Sequence, residues 1–276
     1  MCLVLFALDA HPTQSLVVLA NRDEAYARPS APSGWWDDRP DVLAGRDLTG
    51  GGTWMGVTRT GRWTAVTNVR DPASVRDDAR SRGDLTRRFL TSTAAPAAYA
   101  RAVARQRGDY NGFNLVVGDP DATWFVSTRE PAPRRLGAGV YGLSNDTLDT
   151  PWPKVRRGTR GLARLLEDRR FDRAAAFDLL AHAEPAPDAE LPDTGVGLAW
   201  ERLLSPAYIE TPDYGTRTRT VLTRTHDGTV EWTERRRDGG ETAVRFAVSG
   251  RVRNDEPGEH RRSPDHPGRP SKRDLP

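Results

Sequence analysis

Two short apolar runs open the chain, Met1 to Leu8 and Ser15 to Ala20, and between them lie the turn-forming residues Asp9-Ala10-His11-Pro12-Thr13. Runs of this length, rich in Val, Leu and Phe, predict a β-hairpin whose second arm continues through Asn21-Arg22-Asp23-Glu24. If it closes about Pro12, opposed residues have numbers summing to about 24, which sets Cys2 against Arg22 with Asn21 and Asp23 beside it. A charged cluster at the end of a buried strand is costly unless it has a task.

Farther along, Ala27 to Pro40, rich in Pro and Ser and carrying Trp35 and Trp36, reads as a long surface loop. Gly50-Gly51-Gly52 reads as a tight turn or a place where backbone passes close to other groups. It lacks the Gly-Lys-Ser/Thr ending of a phosphate-binding loop. Trp54 to Thr58 and Arg62 to Val69 predict a second hairpin, with Asn68 near its end. From Asp84 to Arg107 the spacing of Leu85, Phe89, Leu90, Tyr99 and Val103 predicts two short helices separated at Pro96.

Strand patterns return at Phe113 to Val117, Thr123 to Ser127 and Gly139 to Asn145, and helical ones at Pro151 to Asp168 and Phe171 to His182. Glu184 to Asp193 is a Pro/Asp-rich connector. Thr216 to Thr225, Val230 to Arg236 and Thr242 to Val248 predict further strands, and strict alternation puts Arg217 and Arg219 on one face. Blocks of antiparallel strands alternating with helix pairs indicate an α+β fold, most economically a four-layer αββα sandwich. A single domain over residues 1–250 is expected, followed by a disordered Pro/Arg-rich tail, 251–276, with five prolines and almost no apolar side chain.

Composition narrows the function. With 276 residues and 37% hydrophobic content the chain can bury a sizeable core. No apolar stretch reaches the roughly 20 residues of a membrane span, and the N-terminus lacks a secretory signal, so a cytoplasmic location is expected. The net charge is only +3 and basic and acidic residues are interspersed, which argues against nucleic-acid binding. The single cysteine excludes an internal disulfide and any multi-cysteine metal site, and nothing calls for a cofactor or a metal. Oligomeric state is not legible.

That one cysteine follows the initiator methionine. Its small side chain predicts removal of Met1, leaving a residue with both a thiol and a free α-amine. The five histidines are badly placed to serve as its base, lying in turns, a helix and the tail. An α-amine with an ordinary pKa of roughly 7.7–8.0 can take the proton instead. Arg22 beside the sulfur is expected to favour thiolate and Asp23 to orient the amine. Asn68 and Asn145, each closing a strand, are candidates to donate to a developing oxyanion or, alternatively, to cap strand ends.

Met1-Cys2, Asn21-Arg22-Asp23-Glu24, Gly51-Gly52-Thr53-Trp54, Thr67-Asn68, Tyr110-Asn111-Gly112-Phe113-Asn114, Tyr141-Gly142-Leu143-Ser144-Asn145, Thr150-Pro151-Trp152 and Tyr214-Gly215-Thr216-Arg217-Thr218 together resemble the NRDE proteins, the transport and Golgi organisation protein 2 family. The resemblance runs from Met1 to about Val248. That family is similar, more distantly, to the N-terminal nucleophile hydrolases that cleave bile-salt and penicillin amides. What the resemblance implies is a catalytic set of Cys2, Arg22, Asp23, Asn68, Asn145 and Arg217, although the hydrolases space their Arg and Asp a few residues apart.

Two functions follow from it. One is an amidohydrolase or acyltransferase acting on a small acyl amide or thioester. The other is a non-catalytic carrier of a lipid, acyl-CoA or haem ligand, with Trp35, Trp36 and Trp54 lining an apolar pocket beside Cys2. For the tail, the ordering cost of roughly 1–2 kcal/mol per residue exceeds what its few apolar side chains can offset. Truncation after Gly250 should leave the melting temperature unchanged, and a drop of several degrees would mean that the tail docks.

Overall fold

A computed structural model describes residues 2–249. Met1 and the tail, 251–276, lie outside the described residues, so the expected disorder of the tail falls there. The chain forms strands β1 (Cys2–Leu8), β2 (Gln14–Ala25), β3 (Ser30–Trp36), β4 (Arg39–Asp47), β5 (Met55–Thr58) and β6 (Trp63–Asn68). Helices α1 (Gly83–Leu90) and α2 (Pro96–Arg105) follow, then β7 (Phe113–Gly118), β8 (Thr123–Ser127), β9 (Arg134–Leu136) and β10 (Gly139–Leu143). Helices α3 (Pro153–Leu165), α4 (Arg173–Leu180) and α5 (Leu198–Leu204) lead to β11 (Tyr214–Thr225), β12 (Thr229–Arg236) and β13 (Glu241–Ala247).

β1 is buried on both faces along its whole length, as its unbroken apolar sequence requires. It pairs with β2 in the expected register, from Cys2 opposite Arg22 to Leu8 opposite Leu16. The first sheet has the order β10-β1-β2-β11-β12-β13 and the second β3-β4-β5-β6-β7-β8-β9, with every paired strand antiparallel.

Period two decides what each face packs against. Val4, Phe6, Leu16, Val18, Leu222 and Trp232 of the first sheet meet Leu43, Met55, Trp63, Val116 and Phe125 of the second in a core between the sheets. The opposite face of the first sheet, with Leu3, Leu5, Val17, Leu19 and Val221, is covered by α3 and α4 through Val155, Leu162, Phe177 and Leu180. Leu85 and Phe89 of α1, with Tyr99, Ala100 and Val103 of α2, cover Val66, Phe113, Leu115 and Val117 on the outer face of the second sheet. The result is the α/β/β/α layering expected from the order of elements. Among the described residues no helix is long and apolar enough to cross a membrane.

Two local expectations are corrected, and two short elements went unread. The segment read as a surface loop, Ala27 to Pro40, holds β3 and the start of β4. β3 is an edge strand, where Pro32 removes no needed donor, and the ladder is irregular between Ala31 and Gly34 and again between Trp35 and Trp36. β9 and α5, at three and seven residues, are too short to show a periodicity. The other correction is a register shift between Thr216 and Thr218, which breaks the alternation that placed Arg217 and Arg219 on one face.

The glycine run serves both of its expected purposes. Gly51 takes a φ of 66° in a turn closed by its N–H to the Asp47 carbonyl at 2.8 Å. A Cβ on Gly52, by contrast, would run into the carbonyl of Gly83 at the start of α1. Gly52→Ala should therefore push α1 away from β5 and cost about 1–3 kcal/mol in urea unfolding, as overpacking does elsewhere. An unchanged midpoint would show that the Gly83 segment yields freely.

Candidate active site

At the end of the sandwich where β1 begins and β2 and β6 end, a cleft of about 680 Å³ opens between the sheets. Antiparallel pairing places Cys2, Arg22 and Thr218 in one row across β1, β2 and β11, with side chains on the same face, and all three line the cleft. Asn68 from the end of β6 and Arg82 from the approach to α1 line it as well.

Burial pushes the Cys2 thiol up from its ordinary value; the Asp23 charge acts in the same direction, while Arg22 acts against both. The side chain is only 8% exposed, so desolvation outweighs the guanidinium. At neutral pH the resting sulfur is thus a thiol. Arg22 favours thiolate as expected, but burial is the larger effect. Arg22 is itself 7% exposed, and its Nη1 is buried without a hydrogen-bond partner among the described residues.

Asp23, next in sequence, projects from the opposite face of β2 toward the helices. Its Oδ1 accepts from the Thr216 hydroxyl at 2.6 Å. Burial raises its carboxyl and the nearby Lys154 and Arg70 oppose that rise. Lys154, on the first turn of α3, donates from Nζ to the Leu204 carbonyl at 2.9 Å. Arg70 pairs with Glu201 of α5 at 2.6 Å, both side chains being buried, and lies over the Trp152 ring at 4.7 Å.

The two asparagines are brought into direct contact. Asn145 donates from Nδ2 to the Asn68 carbonyl at 3.0 Å and to Asn68 Oδ1 at 3.1 Å. Asn145 is fully buried behind the cleft wall, whereas Asn68 lines the cleft. With its Oδ1 accepting from Asn145, the Asn68 amide keeps its own N–H groups for another acceptor. Beside this pair, Ser144 Oγ donates to the Cys2 carbonyl at 3.2 Å and Thr67 Oγ1 donates to the Ser144 carbonyl at 2.6 Å.

Arg217 is not brought to the cysteine. At the irregularity in β11 its Nη1 donates to the carbonyls of Ala25 and Arg28, and the side chain lines a separate surface cavity with Tyr26 and Arg236. Nor do the three tryptophans form one pocket. Trp54 lines the cleft, Trp35 packs edge-on against Phe246, and Trp36 is buried with its Nε1 on the Ala44 carbonyl.

Sequence reasoning missed Arg70, Arg82, Lys154 and Glu201. A signal existed for one of them, because Lys154 and Lys272 are the only lysines in an arginine-rich chain. Of the two cations only lysine shifts its pKa readily when buried, since arginine does not deprotonate in proteins.

The model of the Transport and Golgi organisation 2 family, TANGO2, matches residues 1–239. A Bos taurus Transport and Golgi organization protein 2 homolog is 36% identical over 256 residues, covering 85% of this chain and 92% of that protein. Its Homo sapiens counterpart is 35% identical over 257 residues with the same coverage. The chain belongs to this family. A solved Caenorhabditis elegans N-acylethanolamine-hydrolyzing acid amidase ortholog superimposes with a TM-score of 0.47 at 12% identity, covering 80% of this chain and 92% of that one.

The buried lysine gives the site a pH signature. Burial pushes Lys154 down to about 8 from an ordinary 10.5. Between those values the unfolded chain binds more protons than the folded one. The wild type therefore gains stability as pH rises through that window, by at most about 1.4 kcal/mol per pH unit. Urea titrations across the window should show the wild type gaining on Lys154→Met, and a difference that stays constant with pH would mean that Lys154 titrates as it does in water.

Proposed function

Taking membership of the Transport and Golgi organisation 2 family as the premise, we propose that this protein is an N-terminal cysteine amidohydrolase or acyltransferase for a small acyl amide or thioester. The observation that carries the reading is the row Cys2–Arg22–Thr218, which opens the chain's single thiol onto a cleft whose opposite wall presents Asn68.

In the proposed reaction Met1 has been removed, and the Cys2 sulfur attacks the acyl carbon as its proton passes to the Cys2 α-amine. Asn68, held by Asn145, donates to the carbonyl oxygen as charge develops there. The amine then hands the proton to the departing nitrogen or sulfur, leaving an acyl thioester on Cys2. Water or an acceptor nucleophile attacks that thioester and regenerates the thiol. Asp23, with Lys154 and Arg70 near it, supplies the charged surroundings of the strand end that carries the amine. The raised thiol suits this scheme, because the proton leaves during the attack and not before it.

The carrier reading needs an apolar pocket beside Cys2. Arg22, Arg28, Arg46, Arg80, Arg82 and Asp47 are among the residues lining the cleft, and of the three tryptophans only Trp54 reaches it. Charge on that scale favours a polar reactant.

Intact-mass measurement after incubation with a panel of acyl amides and thioesters tests the proposal. An acyl adduct on the wild type, absent from Cys2→Ala, is expected. Retention of Met1 in essentially all molecules, or saturable ligand binding that survives Cys2→Ala with no turnover, would sink it. Independently, Arg22→Gln should slow iodoacetamide alkylation of the folded protein at neutral pH by about three- to tenfold, with no change in the unfolded chain. An unchanged rate in a folded variant would remove Arg22 from the activation of the thiol.

A further inference from the structure

The charges lining the cleft do not balance locally. Arg28 pairs with Asp47 at 2.7 Å, Arg46 with Asp38 at 2.7 Å and Arg80 with Asp84 at 2.8 Å. Arg22 and Arg82 pair with no carboxylate among the described residues. Arg82 donates only to the Gly112 carbonyl, at 3.1 Å, and the Nη1 of Arg22 donates to nothing. Thr218 Oγ1, next to Arg22 in the row, is also buried and without a partner. Glu234, the buried acid on the same wall, accepts from the Ser33 N–H at 2.9 Å and forms no salt bridge with either guanidinium among the described residues, although its carboxyl feels the Arg22 charge.

A guanidinium that is more than nine-tenths buried and unpaired carries a desolvation penalty that is relieved only when an anion reaches it. Its fork of donors matches the two oxygens of a carboxylate or phosphate. Arg82, from the approach to α1, lines the same cleft as Cys2 and Arg22, so the two cations share its wall with the sulfur.

We propose that the ligand of this cleft carries an oxyanion group, a carboxylate or a phosphate, which binds between Arg22, Arg82 and the Thr218 hydroxyl beside Cys2. The inference names a substrate class for the site read above as catalytic and rests on that reading for its role. The binding itself needs no acyl transfer. A cleft of this volume leaves space for the body of a small molecule beyond the anchored group.

Because Cys2 is the only cysteine, two alkylating reagents of nearly equal size report on the site without ambiguity. Iodoacetate carries the carboxylate that iodoacetamide lacks. The ratio of their rates cancels the thiolate fraction, which both reagents share. In the folded protein that ratio should exceed the ratio in urea by about tenfold, as charge focusing in a cleft allows. Arg82→Gln should return it to the value of the unfolded chain.

Inorganic phosphate and succinate, each added at constant ionic strength, separate the two sources of the group. Slower iodoacetate labelling with phosphate alone points to a phosphate, with succinate alone to a carboxylate, and either supports the site. A ratio no higher than in urea, with protection by neither ion, overturns it. Should the folded thiol resist both reagents, the melting temperature in phosphate against sodium chloride of equal ionic strength decides. A rise in the wild type that Arg82→Gln lacks supports the site, and equal values overturn it. Absence of an acyl adduct in the mass experiment would fail the catalytic reading alone and leave these outcomes legible.

Discussion

A strand buried on both faces has to end somewhere, and β1 ends at Cys2, where the apolar neighbours of Leu3 to Leu8 give way to charge. Water cannot satisfy the backbone there, so side chains from the two sheets do. Ser144 holds the Cys2 carbonyl, Thr67 holds the Ser144 carbonyl, and Asn114 donates to Thr67 Oγ1 at 3.2 Å and to the Asp146 carbonyl at 2.7 Å. Ser127 in turn donates to Asn114 Oδ1 at 2.7 Å. This buried polar seam ties β1 and β10 of one sheet to β6, β7 and β8 of the other. It fixes the sulfur and Asn68 on one rigid frame, which is what a site working at hydrogen-bond distances requires.

The same physics explains why four adjacent polar residues serve four different places. Along β2 successive side chains alternate between faces. Asn21 turns to the helices, where its Nδ2 donates to the carbonyls of Leu180 and Ala207 at 2.9 and 2.6 Å. Arg22 turns to the cleft, Asp23 back to the helices and Thr216, and Glu24 lies at the rim, within 3.9 Å of Arg28. Adjacent Arg and Asp are therefore not an ion pair. A salt bridge between them would require both on one face, and the pleat forbids it.

Legibility in the sequence followed the range of the interaction. The first hairpin was readable because its register is set by a local turn and an unbroken apolar pattern, and Cys2 opposite Arg22 came out of that arithmetic alone. The layering was readable from the order of strands and helices. β3 was hidden because Pro32 and the paired tryptophans look like a loop unless the segment is known to be a sheet edge. Arg217 was misplaced because a single irregularity between Thr216 and Thr218 cannot be seen in an alternating pattern. Arg82 and Lys154 reach the site only through the docking of α1 and α3 on opposite sides of the sandwich, and no local spacing announces a contact made that way.

Burial and charge compete at the cysteine, and burial wins; that outcome constrains the chemistry more than any single partner does. A thiol held above its ordinary range needs an acceptor for its proton close at hand. No described histidine lines the cleft: His11 makes a hydrogen bond with the Asp168 carbonyl, His226 makes one with the His11 carbonyl, and His182 lies against α3 and Glu184. The guanidinium groups of Arg22 and Arg82 on the cleft wall are donors and accept nothing. The proposed reaction supplies that acceptor through the α-amine of Cys2, near Asp23, whose charge the buried Lys154 opposes in turn. In the proposed reaction that amine accepts the proton when the sulfur attacks and returns it when the leaving group departs. The task proposed for the cations of the cleft is different, since a charge that cannot move a proton can still hold an anionic group.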